Sequence, residues 1–309
     1  MKISRGIKVE HTGGSILLDP SFRSEETVLI SHAHSDHVRN HTGKTIATNQ
    51  TLRLAGLSGE GRPYGKPFEE EGFRITLLNA GHVPGSAMIL VEDGQSVLYT
   101  GDFRPRESLF GRAEHVNCDT IIVEATYGTE KYVFPEPEEE YSQIKEWTLD
   151  RLEEGNSVMI GAYALGKAQE VIHSLNNGGI VPVVHPRIAE VTKMTGIPLE
   201  FHSTLSEEGA DMLAGQFVAI VPPRMVSEET RHLLSVQSKT SVNTAIASGQ
   251  KFYHADHVFP LSGHADYNDV LEFVGACSPK KVYTTHGRSR ELAKRIKDEL
   301  GIQAEPLDS

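Results

Sequence analysis

The stretch Ser31-His32-Ala33-His34-Ser35-Asp36-His37 follows directly on the apolar run Val28-Leu29-Ile30. It places three imidazoles and one carboxylate within seven positions, where a strand gives way to a loop. A loop leaving a strand can aim several short side chains at one point while the sheet holds their backbone still. Imidazole and carboxylate together suit zinc, manganese or iron, so the stretch reads as one part of a metal centre.

The remaining parts recur along the chain in the same setting. His82 lies in NAGHVPGSA, Asp102 ends YTGD, Glu124 ends TIIVE, His264 lies in LSGHADY and His286 closes VYTTHG. Each stands where an apolar run stops and small residues begin. Functional side chains gather at strand ends in sheets with helical crossovers.

Around these points the chain alternates strand-like and helix-like pieces. From Ser15 to Thr100 short β-rich runs dominate, and Asp93-Gly94 between MILVE and SVLYT predicts a tight hairpin. In EPEEEYSQIKEWTLDRLEEG the apolar residues Tyr141, Ile144, Trp147 and Leu152 fall at helical spacing, with acids leading and Gly155 in a stop position. Strand and helix patterns then alternate to about residue 250. The last sixty or so residues return to strand, loop and helix, so the middle reads as a unit inserted into a first domain.

The whole chain sets limits on what this centre can serve. With 309 residues, 38% hydrophobic and 23% charged, it is long enough for one large core or two modest ones. No segment approaches the roughly 18 apolar residues of a membrane span, and the N-terminus lacks a secretory h-region. Cys118 and Cys277, far apart in sequence, make neither a CxxC pair nor a disulfide framework. The expectation is therefore a cytoplasmic protein without membrane partners. A formal net charge of −12 excludes a surface that is positive throughout, but bound cations would invert the local field.

His32-Ala33-His34-Ser35-Asp36-His37 resembles the HxHxDH signature of the metallo-β-lactamase fold, and the later residues fall in the order of its β-CASP nuclease branch. The resemblance implies an α/β protein, an αββα sandwich over 1–140 and 250–309 with an inserted α/β β-CASP domain over 141–249. It implies two divalent ions, zinc with manganese as the alternative. His32, His34 and His82 would hold one, Asp36, His37 and His286 the other, and Asp102 would bridge them.

The implied activity is hydrolysis of phosphodiester bonds by a water activated between the two metals, with Asp36, Glu124 and His264 as the catalytic side chains. His264 is the expected general acid, oriented and kept protonated by Glu124. Arg104, Lys167 and Arg288 are expected to contact substrate phosphates, with Arg106 beside Arg104, and Ser248 and Gly249 to shape a pocket for a terminal phosphate. Tyr127 and Tyr163 are weighed between base stacking and core packing.

The implied partner is single-stranded nucleic acid in a cleft between the two domains, RNA before DNA, because a histidine at position 286 is the form typical of RNA-processing members. A DNA exonuclease of repair, Artemis-like or ligase-associated, is the alternative, followed by a small-molecule hydrolase and an inactive scaffold subunit. Native metal, cutting mode and oligomeric state, including a homodimer, are left open.

Overall fold

Because consecutive side chains of a strand alternate between faces, the register of each short apolar run decides which layer it joins. The computed structural model describes residues 1–4, 6–250 and 254–307. The chain divides into two units, Met1–Val133 with Gly263–Ser309, and Phe134–Ser262.

The first unit begins with β1 (Lys2–Ser4), β2 (Lys8–His11), β3 (Gly14–Leu18), β4 (Thr27–Leu29), β5 (Thr45–Ala47), α1 (Asn49–Ala55) and β6 (Glu60–Gly61). These six strands form one sheet in chain order. A second sheet is built from β7 (Phe68–Glu70), β8 (Phe73–Asn79), β9 (Ala87–Glu92), β10 (Ser96–Tyr99) and β11 (Thr120–Glu124).

The chain then enters the second unit: α2 (Pro137–Glu153), β12 (Ser157–Gly161), α3 (Lys167–Asn176), β13 (Val183–Val184), α4 (Pro186–Thr195), β14 (His202–Ser203), α5 (Glu207–Met212), β15 (Val218–Val221), α6 (Glu228–Ser238), β16 (Val242–Ala247) and β17 (His257–Phe259). On its return α7 (Tyr267–Cys277), β18 (Lys281–Thr285), α8 (Ser289–Leu300) and β19 (Gln303–Pro306) complete the second sheet, in the order β19-β18-β11-β10-β9-β8-β7.

Alternation sorts the first unit into four layers. Ile16, Leu18, Leu29 and Ile46 of one sheet meet Ile75, Leu77, Ile89 and Val91 of the other in a shared core. Leu17, Val28 and Ala47 point the opposite way and pack with Leu52 of α1. Leu98, Ile121 and Val282 lie on the outer face of the second sheet, under Val270, Phe273 and Val274 of α7 and Leu292 and Ile296 of α8. This is the expected helix–sheet–sheet–helix sandwich. Cys118 and Cys277, distant in sequence, are neighbours in this core as free thiols.

In the second unit every pairing of the sheet β14-β13-β15-β12-β16-β17 is parallel. Val158 and Ile160 pack under α2, α3 and α4, while Met159 faces the layer of Met212 and Leu234 from α5 and α6. The unit is a parallel sheet wound on both sides, as the alternation of strands and helices predicts. The hairpin at Asp93-Gly94 and the helix ending before Gly155, whose φ is 80°, are also where the sequence puts them.

The borders fall at 133/134 and 262/263 rather than at 140/141 and 249/250. The physical reason is that α2 starts at Pro137 and packs on β12, and β17 pairs in parallel with β16, so both flanking segments belong to the inserted sheet's layers.

α2 carries an oddity in its first turn. Glu140 is buried, and neither carboxylate oxygen has a hydrogen-bond partner among the described residues. Burial, reinforced by Glu139, pushes its pKa up to about 7 from 4.5. A carboxyl raised in the folded state loses stability as pH climbs from the unfolded value through the folded one. Glu140→Gln is therefore expected to match the wild type near pH 4.5 and to exceed it by about 1–2 kcal/mol at pH 8, after allowance for solvent screening. Paired denaturation curves across that pH range check this, and equal curves at pH 8 would refute it.

Candidate metal centre

β8, β10, β11 and β18 run in the same direction, because β8 and β10 are both antiparallel to β9 while β10, β11 and β18 are mutually parallel neighbours. Their C-terminal ends therefore share one edge of the second sheet. His82 follows β8, Asp102 follows β10, Glu124 ends β11 and His286 follows β18. His32 follows β4 of the facing sheet, and the Ser31 carbonyl accepts a hydrogen bond from Ala87 N at 2.8 Å, which ties the loop to β9. Gly101 permits a close approach to that loop. Its φ is 52°, and a Cβ there would lie 2.7 Å from Ser31.

Asp102 stands at the middle of the cluster. Its carboxylate lies 3.4 Å from His32 Nε2, 3.6 Å from His37 Nε2, 3.6 Å from His82 Nε2 and 3.9 Å from His264 Nδ1. His82 Nε2 is 3.0 Å from His34 Nδ1. Single atoms of His32, His34, His82 and Asp102 all fall within 4.8 Å of one another. Asp36 and His286 complete the rim. Asp36 is exposed, with its carboxylate 3.9 Å from His37 Nε2, and the His286 ring centre is 5.2 Å from that of His37.

The second nitrogens of the rings fix their orientation. His82 Nδ1 donates to the Gly263 carbonyl at 2.7 Å, which leaves Nε2 with its lone pair toward the cluster. His37 Nδ1 donates at 2.8 Å to Asp19, which leaves its Nε2 toward Asp102. His32 Nδ1 meets Ser31 Oγ at 2.9 Å, and its buried Nε2 has no hydrogen-bond partner among the described residues. A histidine that ligates a metal commonly has its other nitrogen held in this way.

The field in the cluster favours a cation. Burial opposes charge on His37, yet the carboxylates of Asp102 and then Asp19 outweigh it and push its pKa up to about 10. Asp102 is held well below the usual carboxylate range, since the facing His264, His37 and His32 overcome its burial. His82 goes the other way. Burial, with His264 and His32 nearby, keeps its pKa well below the ordinary value and the ring neutral. A neutral imidazole beside an ionised carboxylate, with an orphaned buried nitrogen opposite, is a donor set that fits a divalent cation.

Asp19 is absent from the sequence expectation. It follows β3 in a left-handed conformation (φ 44°) and accepts from Ser31 N at 2.7 Å, from Ser31 Oγ, and from Tyr99 Oη at 3.0 Å, besides His37. Burial by itself would raise its pKa, but His37, His32 and Ser31 together outweigh that and hold the carboxyl below its ordinary value, so it stays ionised. The signal was present in SILLDP, an apolar run ending in an acid like those of Asp102 and Glu124.

A separate pair lies alongside. Glu124 is buried, accepts from Phe103 N at 3.1 Å, and places both carboxylate oxygens 3.0 Å from His264 Nδ1. Ala265 N donates to the Phe103 carbonyl at 2.7 Å, and Asp266 rather than His264 caps α7. Nδ1 of His264 is thus the donor to Glu124.

The expected phosphate contacts divide. Arg104 is 1% exposed, with its side chain in the interior. Arg106 likewise serves the fold, donating at 2.8 Å to both Asp266 and Asp269. Tyr127 is buried against Tyr132 and His264, which settles it as packing. Arg288 is exposed, two residues beyond His286, with its backbone N on the Ala125 carbonyl at 2.7 Å. Lys167, Ser248 and Gly249 belong to the second unit. Lys167 opens α3 with its ammonium 5.5 Å from the half-exposed Tyr163 ring, and Ser248 and Gly249 are buried just beyond β16.

Comparison with known proteins gives the following. Residues 255–305 match the family described as the Zn-dependent metallo-hydrolase RNA specificity domain. A probable DNA ligase of Opitutus terrae is 30% identical over 98% of this chain, which spans 30% of that protein's length. An RNase of Saccharolobus solfataricus, aCSPSF2, is 25% identical over 96% of this chain and 80% of its own. A crystal structure of an Enterococcus faecalis protein of unknown function superposes with a TM-score of 0.66 at 11% identity, covering 86% of this chain and 76% of that one. No helix among the described residues is long and apolar enough to cross a membrane.

His286 sits at φ 58° and Gly287 at 42°, where a Cβ would lie 2.3 Å from the Ala125 carbonyl. A β-carbon in the left-handed region costs about 1–2 kcal/mol, so His286 holds its place against local preference. His286→Gly is expected to hold or raise the melting temperature, whereas Gly287→Ala lowers stability by more than about 1 kcal/mol. A His286→Gly protein that melts clearly below the wild type would show the imidazole to be structural.

Proposed function

The chain belongs to the β-CASP branch of the metallo-β-lactamase fold, and on that premise we propose that it is a nuclease hydrolysing single-stranded nucleic acid with two divalent ions, zinc or manganese. The observation that carries the reading is the meeting of His32, His37 and His82 on Asp102 beside the Glu124–His264 pair. Three carboxylates, Asp19, Asp36 and Asp102, border these rings, a donor set suited to divalent cations, while Glu124 faces His264.

His32, His34 and His82 would hold one ion, Asp36, His37 and His286 the other, with Asp102 between them. Such a pair, when bound, lowers the pKa of water and neutralises charge developing on a phosphoryl group. The protein's own part is to orient and to move a proton. Asp19 fixes the His37 tautomer, and the Gly263 carbonyl fixes that of His82. Glu124 holds His264 Nδ1 as a donor, so His264 Nε2 can deliver a proton to the leaving oxygen. Asp36, the most exposed acid of the rim, is placed to receive the proton given up by the attacking water.

RNA is the first reading of the substrate, supported by the match to an RNA specificity domain and by the RNase relative. DNA is the second, favoured by the Opitutus DNA ligase relative that aligns with nearly all of this chain. Lys167, Ser248, Gly249 and Arg288 would be substrate contacts. The free thiols Cys118 and Cys277 fit work in a reducing cytoplasm.

His264→Ala is expected to keep its metal, by elemental analysis, while turnover falls by roughly 10²–10⁴. Metal lost with the imidazole would make His264 a ligand. Dialysis against a chelator is expected to abolish cleavage, and zinc or manganese to restore it. Matched single-stranded RNA and DNA, each with a 5′-phosphate or a 5′-hydroxyl, decide the substrate. Faster cutting of DNA would overturn the RNA reading, and inertness toward both would sink the function.

A further inference from the structure

Beside His286 the surface carries cations that the fold itself does not use. Arg288 is the N-cap of α8 and makes no side-chain cap, and Arg290 and Lys294 follow on its exposed side, while Leu292, Ala293 and Ile296 face the core. Like charges four residues apart repel, and the positive end of a helix disfavours cations further. Arg290 in the first turn and Lys294 four residues on are therefore an unfavourable pair for α8 taken alone, with Glu291 the one acid of that turn.

Neighbouring cations are committed differently. Arg295 pairs with Glu130 and Glu299, Lys281 with Glu305, and Lys280 with Asp119. Arg288, Arg290 and Lys294 have no ion-pair partner among the described residues, in a chain whose net charge of −12 offers acids freely.

A second observation points to the same place. A pocket at the start of α8 is lined by Thr129, Glu130, Lys131, Arg288, Glu291 and Arg295. The Thr129 hydroxyl is buried there with no hydrogen-bond partner among the described residues. A hydroxyl donor, a helix N-terminus and uncommitted cations together suit a phosphate. Glu130 already answers Arg295, and Glu291 adds one opposing charge, so the pocket is positive through Lys131 and Arg288.

We infer that the surface running from Thr129 and Lys131 across Arg288 to Arg290 and Lys294 carries the sugar–phosphate backbone of the strand whose scissile phosphate lies at the metal centre. This rests on the nuclease reading and extends it to a track outside the centre. Phosphate contacts position a strand without reading its bases, so RNA and DNA should feel the track alike.

The test compares Arg290→Ala/Lys294→Ala with Lys280→Ala/Lys281→Ala, which removes two charges from the opposite end of β18. Both are made in metal-loaded His264→Ala protein, and binding of labelled single-stranded RNA and DNA 12-mers is followed by fluorescence anisotropy over a salt series. The α8 variant is expected to bind about tenfold more weakly at 0.1 M salt, with a slope of log affinity on log salt smaller by about 1.4. Its melting temperature should hold or rise, since repulsion has been removed. Affinity and slope as in the parent, equal weakening by the control pair, or a drop in melting temperature would each overturn the track. Binding that depends on α8 in a wild type that cuts nothing sinks the nuclease reading alone, whereas cutting with α8-independent binding sinks the track alone.

Discussion

One carboxylate organises the first unit's functional edge. Asp102 lies within 3.6 Å of nitrogens from His32, His37 and His82, all of them buried. Imidazoles crowded in this way cannot all carry protons, and they cannot satisfy one another's lone pairs. The orphaned Nε2 of His32 and the opposite pKa displacements of His37 and His82 are two expressions of that conflict. A cation shared among them resolves both, and so the site is arranged around charge rather than around apolar packing.

Holding that arrangement costs backbone strain, which the surrounding sheets stabilise. Asp19 and His286 both take left-handed conformations that side chains with a β-carbon avoid, and Gly101 and Gly287 supply close approaches no larger residue could make. The parallel strands β10, β11 and β18 deliver Asp102, Glu124 and His286 to one edge, and the two-sheet core keeps that edge rigid. Strain localised beside a stiff core is a common setting for sites that must be preorganised.

Two kinds of basic residue also separate. Arg104 and Arg106 look alike in sequence, yet one is buried and the other clamps Asp266 and Asp269 at the start of α7. Arg106 thereby ties the loop after Asp102 to the segment that follows His264. Arg288, Arg290 and Lys294 make no such ion pair among the described residues, and this difference in commitment distinguishes a positioning arginine from one available to a polyanion.

The sequence by itself determined the layers and the kinds of side chain at the cluster. Strand period, helix period and the Asp-Gly hairpin are local properties, legible wherever the apolar pattern is regular, and His32, His34, His82, Asp102, Glu124, His264 and His286 each announce themselves at the end of such a run. Tertiary structure alone decided which of them meet, because convergence depends on strand order and direction across more than 250 residues of chain. It also decided Asp19, whose role exists only through Ser31, His37 and Tyr99 brought to it from two other segments, and Arg104, whose burial no local pattern announces. Spacing along a chain records what a residue can do; only packing records what stands opposite it.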